Sequence, residues 1–239
     1  MKQLIQNALH QVGYQLNRWS NHRKVMRGLL GRDNPVIFDV GASTGDESIE
    51  YRKIFPRARI HAFEPVPSSF RILQQRLKKD PDITAHNLAV SEAEGLIPFH
   101  RNAAPACSSL LPTDERAVAN WSKGLFESVE KVDVKSVTLD GFCATQGIAS
   151  IDILKLDVQG AEYRVLEGAR RLLSESGIRL LFTEIIAVPT YQGQHSLVDY
   201  LTLLRGYGYQ LVDLYDLVRR HSRLAQADFL FAAPGVTGA

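Results

Sequence analysis

Val36-Ile37-Phe38-Asp39-Val40-Gly41-Ala42-Ser43-Thr44-Gly45-Asp46 is the stretch on which the reading of the chain turns. Three apolar residues run into Asp39, glycines follow at 41 and 45, and a helical pattern begins at Glu47. Apolar strand, tight glycine turn and helix start are the local design of a nucleotide-type ligand site in an open α/β sheet. A strand–turn–helix that binds nothing shares this pattern, so the turn alone does not decide the matter.

A dinucleotide fingerprint wants G-x-G-x-x-G. Counted from Gly41, its second and third glycine positions hold Ser43 and Asp46. Asp46 stands where a pyrophosphate would accept helix N–H groups, and a carboxylate there opposes a dianionic ligand. S-adenosylmethionine has no phosphate, and its amine and sulfonium are cationic. Asp39 and Asp46 suit that ligand better.

The 239 residues are enough for one α/β domain with a sizeable core. A net charge of +2 gives no bulk case for nucleic acid. Residues 1–32 carry Lys2, Arg18, Arg23, Lys24, Arg27 and Arg32 with no acid, leaving 22 basic against 26 acidic residues elsewhere. Such a basic arm docks on the acidic body or meets an anionic partner. Cys107 and Cys143 form neither a disulfide framework nor a metal pattern. No apolar run approaches the ~18 residues of a membrane span. The N-terminus lacks the pattern of a secretory leader. The expectation is a cytoplasmic protein.

Residues 3–19 place Leu4, Ile5, Ala8, Leu9, Val12, Leu16 and Trp19 at helical spacing. That predicts an amphipathic helix within an N-terminal extension over 1–34, laid against the body or in a homodimer contact in preference to a membrane surface, which Arg18, Arg23, Lys24 and Arg27 after the apolar face leave open. The main domain is expected over 35–239. After the first strand, the pattern predicts a helix over 44–55, a strand over 59–63, and a helix begun by Pro65 and Pro67. Glu64, 19 positions past Gly45, sits where an acid grips a ribose diol; a helix-start carboxylate is the alternative. A third strand is expected over 83–90, its end placing Asn87 and Ala89 beside an adenine. Residues 102–131 are irregular, as a lid or binding loop is. Residues 132–139 alternate like a half-buried strand. Further core strands are expected over 151–157 and 180–183, and a late strand pair at 210–215 and 228–232. Asp39, Glu64, Asp157 and Glu184 are then expected on one sheet edge, the edge where such folds bind ligands.

Several motifs together resemble the FkbM family of S-adenosylmethionine-dependent methyltransferases. They are Asp39 to Gly45, Phe63-Glu64-Pro65, Ser108-Ser109-Leu110, Val137-Thr138-Leu139-Asp140, Lys155 to Glu162 with Leu166 and Gly168, and Thr183-Glu184-Ile185. Pro189, Tyr191, Gly193-Gln194 and Gly208-Tyr209 also fit, so the resemblance covers residues 36–232. Ser43 is a departure, since the family commonly shows Asn there. The resemblance implies a Rossmann-like seven-stranded sheet, six strands parallel and one antiparallel, with helices on both faces. It implies methyl transfer, usually to a hydroxyl of a sugar, polyketide or other metabolite. By motif, Asp39, Gly41, Ala42, Ser43, Gly45, Glu64 and Pro65 would bind S-adenosylmethionine, and Asp157 would face its reacting end.

A hydroxyl acceptor benefits from a general base within reach. Asp157 and Glu184 are the first candidates, ahead of His100 and His195. Tyr191 and Gln194 are candidate contacts to a small-molecule or glycan acceptor. No metal site is assigned, although a carboxylate pair could hold a divalent cation that orients a sugar diol. Lys155 is expected to face a carboxylate. Two other readings stay open: a nicotinamide-dependent oxidoreductase, against which the broken fingerprint argues, and a non-catalytic binding domain.

Overall fold

The computed structural model describes residues 21–236 except Lys123. The helix expected over 3–19, and with it the dimer contact, lies outside the described residues.

Strand β1 (Val36–Val40) is buried at all five positions and lies between β2 (Arg59–Phe63) and β7 (Ile151–Leu156). Burial on both faces explains its nearly unbroken apolar sequence. The full sheet runs β3 (Ile83–His86), β2, β1, β7, β8 (Ile178–Ile186), β10 (Arg223–Ala232), β9 (Gln210–Arg220). Only β10 runs antiparallel to the others. The strand order reverses between β1 and β7, and the crevice at such a reversal is where these sheets receive ligands.

Alternation along β1 and β7 sorts their side chains between two cores. Val36, Phe38, Val40, Leu154 and Leu156 join one cluster, and Ile37 and Ile153 join the other. Asp39 and Lys155, paired in register, follow Ile37 and Ile153 onto the second face. That face is covered by α1 (His22–Leu30), α2 (Asp46–Ile54) and α3 (Pro67–Leu77). The opposite face carries α5 (Leu139–Gln146), α6 (Glu162–Glu167), α7 (Arg170–Ser174) and α8 (Leu197–Gly206), and a short α4 (Ala117–Asn120) lies in the cap described below. Met26 and Leu30 of α1 are buried. Their burial contributes roughly 3–6 kcal/mol before ordering costs, which docks a helix too short to persist alone.

A second sheet was not foreseen. It orders β4 (Ala89–Val90), β6 (Ser128–Val137) and β5 (Gly95–Asn102). The strand expected over 83–90 breaks at Asn87, whose amide donates to the Glu64 and Pro65 carbonyls at 2.9 Å each. Beyond the break, Ala89 and Val90 pair with Ser136 and Val137. The irregular 102–131 segment is held by a third cluster, including Phe99, Leu110, Phe126, Val134 and Tyr191. It forms a cap over the sheet edge. β8 also runs through Glu184 to Ile186. No helix among the described residues is long and apolar enough to cross a membrane.

Candidate active site

Gly41 holds φ +80°, and a Cβ there would fall 1.8 Å from the Asp157 carbonyl oxygen. Only a glycine lets the β1–α2 turn approach the loop after β7 this closely. Gly45, at φ +90°, leaves room for Leu73, which a Cβ would meet at 2.7 Å. Ser43 is also left-handed, at φ 49°. That geometry aims its N–H at Glu64 Oε2, 3.0 Å away, while Val66 N–H donates to Oε1 at 2.8 Å.

These turns floor a cavity of about 440 Å³ at the carboxyl ends of β1 and β2, a size usual for small-molecule sites, roughly 300–1,000 Å³. Leu88, Ala89, Phe99 and Leu110 supply apolar wall, with Ser108 beside them. Glu64 and Asp157 are the two carboxylates among the residues lining the cavity. Burial pushes the Glu64 carboxyl up to about 7, against the pull of the two N–H donors and Lys155. Each of its oxygens retains a lone pair after accepting one N–H. It can therefore take both hydroxyls of a vicinal diol.

The four carboxylates expected on one edge divide into two pairs. Glu64 and Asp157 line the cavity; Asp39 and Glu184 stand behind it. Asp39 is fully buried, accepts from Ser48 Oγ at 2.6 Å and lies 3.1 Å from Lys155 Nζ. Lys155 also approaches Asp157 Oδ2 at 3.6 Å and donates to the Gly41 carbonyl at 3.2 Å. Burial opposes the Lys155 charge, but Asp39 and Asp157 outweigh it and hold the ammonium above its ordinary range. Lys155 thus ties Asp39, the glycine turn and Asp157 into one unit.

Glu184 accepts from the side-chain amides of Gln159 and Gln226. Gln159 donates to Asp157 Oδ1 at 2.9 Å as well, bridging the two acids. Burial, then Asp157, Glu162 and Asp228, push Glu184 well up. Glu162 was not singled out from sequence. It is fully buried, accepts from Val158 N–H at 2.8 Å and Gly160 N–H at 3.2 Å, and burial pushes it to about 7. It fixes the loop that carries Asp157.

Tyr191, Gln194, Asn87, His195 and His100 are not among the residues lining the cavity. Tyr191 is buried and its hydroxyl donates to the Cys107 carbonyl at 2.9 Å. Gln194 accepts from Thr190 and Tyr191 N–H and donates to the Ile186 and Val188 carbonyls. Gln194 organises the 187–196 loop, whereas Tyr191 ties that loop to Cys107 and Gln159. Asn87 braces the β2–α3 turn, as described. His195 stacks on Tyr163 at 3.7 Å, and His100 lies in β5. Of the first turn, Gly41 and Ser43 line the cavity, with Pro65 and Ala89; Ala42 and Gly45 pack behind them. No three His, Cys, Asp or Glu side chains among the described residues converge as metal ligands do.

A Rossmann-like sheet with this glycine turn and strand-end acid defines an S-adenosylmethionine-dependent methyltransferase. The chain belongs to the Methyltransferase FkbM domain family, which it matches over residues 39–211. It is 27% identical over 217 residues to the 2-O-methyltransferase NoeI of Sinorhizobium fredii, covering 87% of this chain and 83% of that one. It is 29% identical over 205 residues to the 31-O-demethyl-FK506 methyltransferase FkbM of Streptomyces tacrolimicus, covering 77% and 76%. A solved FkbM methyltransferase from Methylobacillus flagellatus shares the fold, with a TM-score of 0.52 and 18% identity over 82% of this chain. The chain spans 44% of the length of that protein.

Proposed function

We propose that the protein transfers the methyl group of S-adenosylmethionine to a hydroxyl oxygen of a small or glycan-type acceptor. The observation that carries this reading is Glu64, a buried acid held by two main-chain N–H groups in the wall of a mostly apolar cavity. Glu64 grips the ribose diol, the Leu88–Ala89 and Phe99 walls enclose the adenine, and the Gly41–Ser43 turn with Asp157 receives the methionine end. The O-methylations named for NoeI and FkbM support oxygen as the acceptor atom.

The bound donor supplies an electrophilic methyl: the acceptor oxygen forms the new C–O bond, and the electron pair of the breaking C–S bond stays on sulfur. Positioning carries most of such an in-line transfer. Asp157 receives the proton released from the acceptor hydroxyl. Glu184 acts on Asp157 through Gln159 and is a positioning residue.

The test is a calorimetric titration with S-adenosylhomocysteine. The wild type binds, and Glu64→Ala loses about 100-fold in affinity, the cost of two hydrogen bonds to a charged acceptor. Absence of binding to folded wild-type protein refutes the reading. Tight NADH binding in its place would point to the oxidoreductase alternative.

A further inference from the structure

A second, smaller cavity of about 190 Å³ lies against the first, and Asp157 lines both. Its other polar walls are His22 and Arg23 of α1, Glu47 of α2, Lys155 of β7, Asp216 of β9 and Asp228 of β10. Lys155 is already engaged with Asp39, Asp157 and the Gly41 carbonyl; the reading above uses none of the others. Three of them hold buried atoms with no hydrogen-bond partner: His22 Nε2, Arg23 Nε and Glu47 Oε2. His22 is 9% exposed, and its ring is fixed by a stack on Phe182 at 4.2 Å. The Asp228 side chain makes no hydrogen bond among the described residues.

Buried polar groups are normally paired, and each orphan here costs free energy until a partner arrives. The orphans are of mixed kind. Arg23 Nε–H is a donor, Glu47 Oε2 an acceptor, and the imidazole nitrogen either, according to its tautomer. A metal cation satisfies no guanidinium N–H, and an anion satisfies no carboxylate. Hydroxyl groups both donate and accept, so a polyol satisfies the whole set. The volume is below that of a drug-sized site, which limits the occupant to one ring-sized unit.

We propose that this cavity is the acceptor subsite. It takes one hydroxyl-bearing ring of monosaccharide type, whose hydroxyls donate to Asp228 and Glu47, accept from Arg23, and present one oxygen past Asp157 to the larger cavity. The inference rests on the methyl-transfer reading and adds to it where the acceptor sits and what class it is. Burial, then Asp157 and Asp216, push the Asp228 carboxyl up to about 7, against the pull of Lys155. Hydroxyl donors stabilise its ionised form in place of solvent.

The experiment is saturation-transfer NMR on the full chain, saturated with S-adenosylhomocysteine, with a panel of methyl hexopyranosides and deoxyhexopyranosides as probes. At least one sugar is expected to bind. Asp228→Asn and Arg23→Gln each weaken that sugar by about tenfold or more. Asp228→Asn leaves the affinity for S-adenosylhomocysteine within about twofold, a change under 0.5 kcal/mol. Two results overturn the inference: no sugar binds to protein that does bind S-adenosylhomocysteine, or a sugar binds and neither substitution weakens it. Failure of S-adenosylhomocysteine to bind folded protein removes the methyl-transfer reading first. Asp228→Asn is close to isosteric and keeps the test usable if loss of the Arg23–Glu47 ion pair unfolds Arg23→Gln.

Discussion

Glu64 beyond β2 and Glu184 in β8 are buried alike, each 7% exposed, yet they sit in opposite surroundings. Glu64 is gripped by main-chain N–H groups that cannot turn away, and the charge that acts on it most strongly is the cation Lys155. Glu184 is gripped by two flexible amide side chains and is crowded by Asp157, Glu162 and Asp228. The first is a fixed acceptor in a cavity wall. The second is a member of an acid cluster behind the wall. Burial of an acid at a strand end therefore does not mark a ligand contact; what its free lone pairs face does.

The largest expected effect is at the seam between the two regions. Gly41→Ala forces the glycine turn away from the Asp157 carbonyl and strains a left-handed backbone. Unfolding in denaturant should show a loss of about 3 kcal/mol or more, and binding of S-adenosylhomocysteine should fall with it. Next is the direct contrast: Glu64→Gln should weaken S-adenosylhomocysteine by about tenfold, Glu184→Gln by less than about threefold. Equal losses in a titration would erase the distinction.

A smaller effect separates the regions by pH. Asp228 lies opposite Glu184 in the strand register, and burial with nearby Asp157 and Asp216 raises its carboxyl from the usual carboxylate range to about 7. With its folded pKa above the unfolded one, the native state holds the proton more tightly. The resulting stability is present below pH ~4 and is lost as pH rises through ~7. Asp228→Asn should therefore gain on wild type between pH 5 and 8, on the order of 2 kcal/mol after allowance for partial exposure. Half-buried His61 and His86, whose pKa values are lowered, change stability in the opposite sense but equally in both proteins; His22, also lowered, shares a cavity with Asp228, so its contribution is read together with that of Asp228. Urea melts at the two pH values read the difference. A constant offset with pH would show that the cluster does not share charge. The smallest effect is at Ser43, held at φ 49°. Asn tolerates that conformation better, so Ser43→Asn should gain a few tenths of a kcal/mol, about 1–2 °C in Tm.

The large sheet was legible because parallel strands buried on both faces read as apolar runs, as Val36–Phe38 and Ile151–Leu156 do. The placing of Gly41 and Glu64 at the strand ends was legible because it depends on short-range spacing. The second sheet was not. Residues 83–90 form one patterned run, and the break at Asn87 arises from bonds to carbonyls more than twenty residues away. Tyr191 and Gln194 were read as candidate acceptor contacts on a polar loop, but the Tyr191 side chain turns in to the Cys107 carbonyl, and the loop's own backbone uses the Gln194 amide. Asp228 carried one readable sign, a charge within the run Ala227 to Ala232, yet its neighbours Asp157, Asp216 and His22 are scattered over the chain.

Asp157 has one more consequence. A single carboxylate forms part of the boundary of two adjoining chambers, so its lone pairs and orientation are shared between whatever occupies them. Occupancy of one chamber then alters the free energy of filling the other, and by linkage the factor is the same in both directions. The ratio of sugar affinities with and without S-adenosylhomocysteine must equal the ratio of S-adenosylhomocysteine affinities with and without sugar. The strength with which donor and acceptor favour or oppose one another is thus written into the position of one side chain.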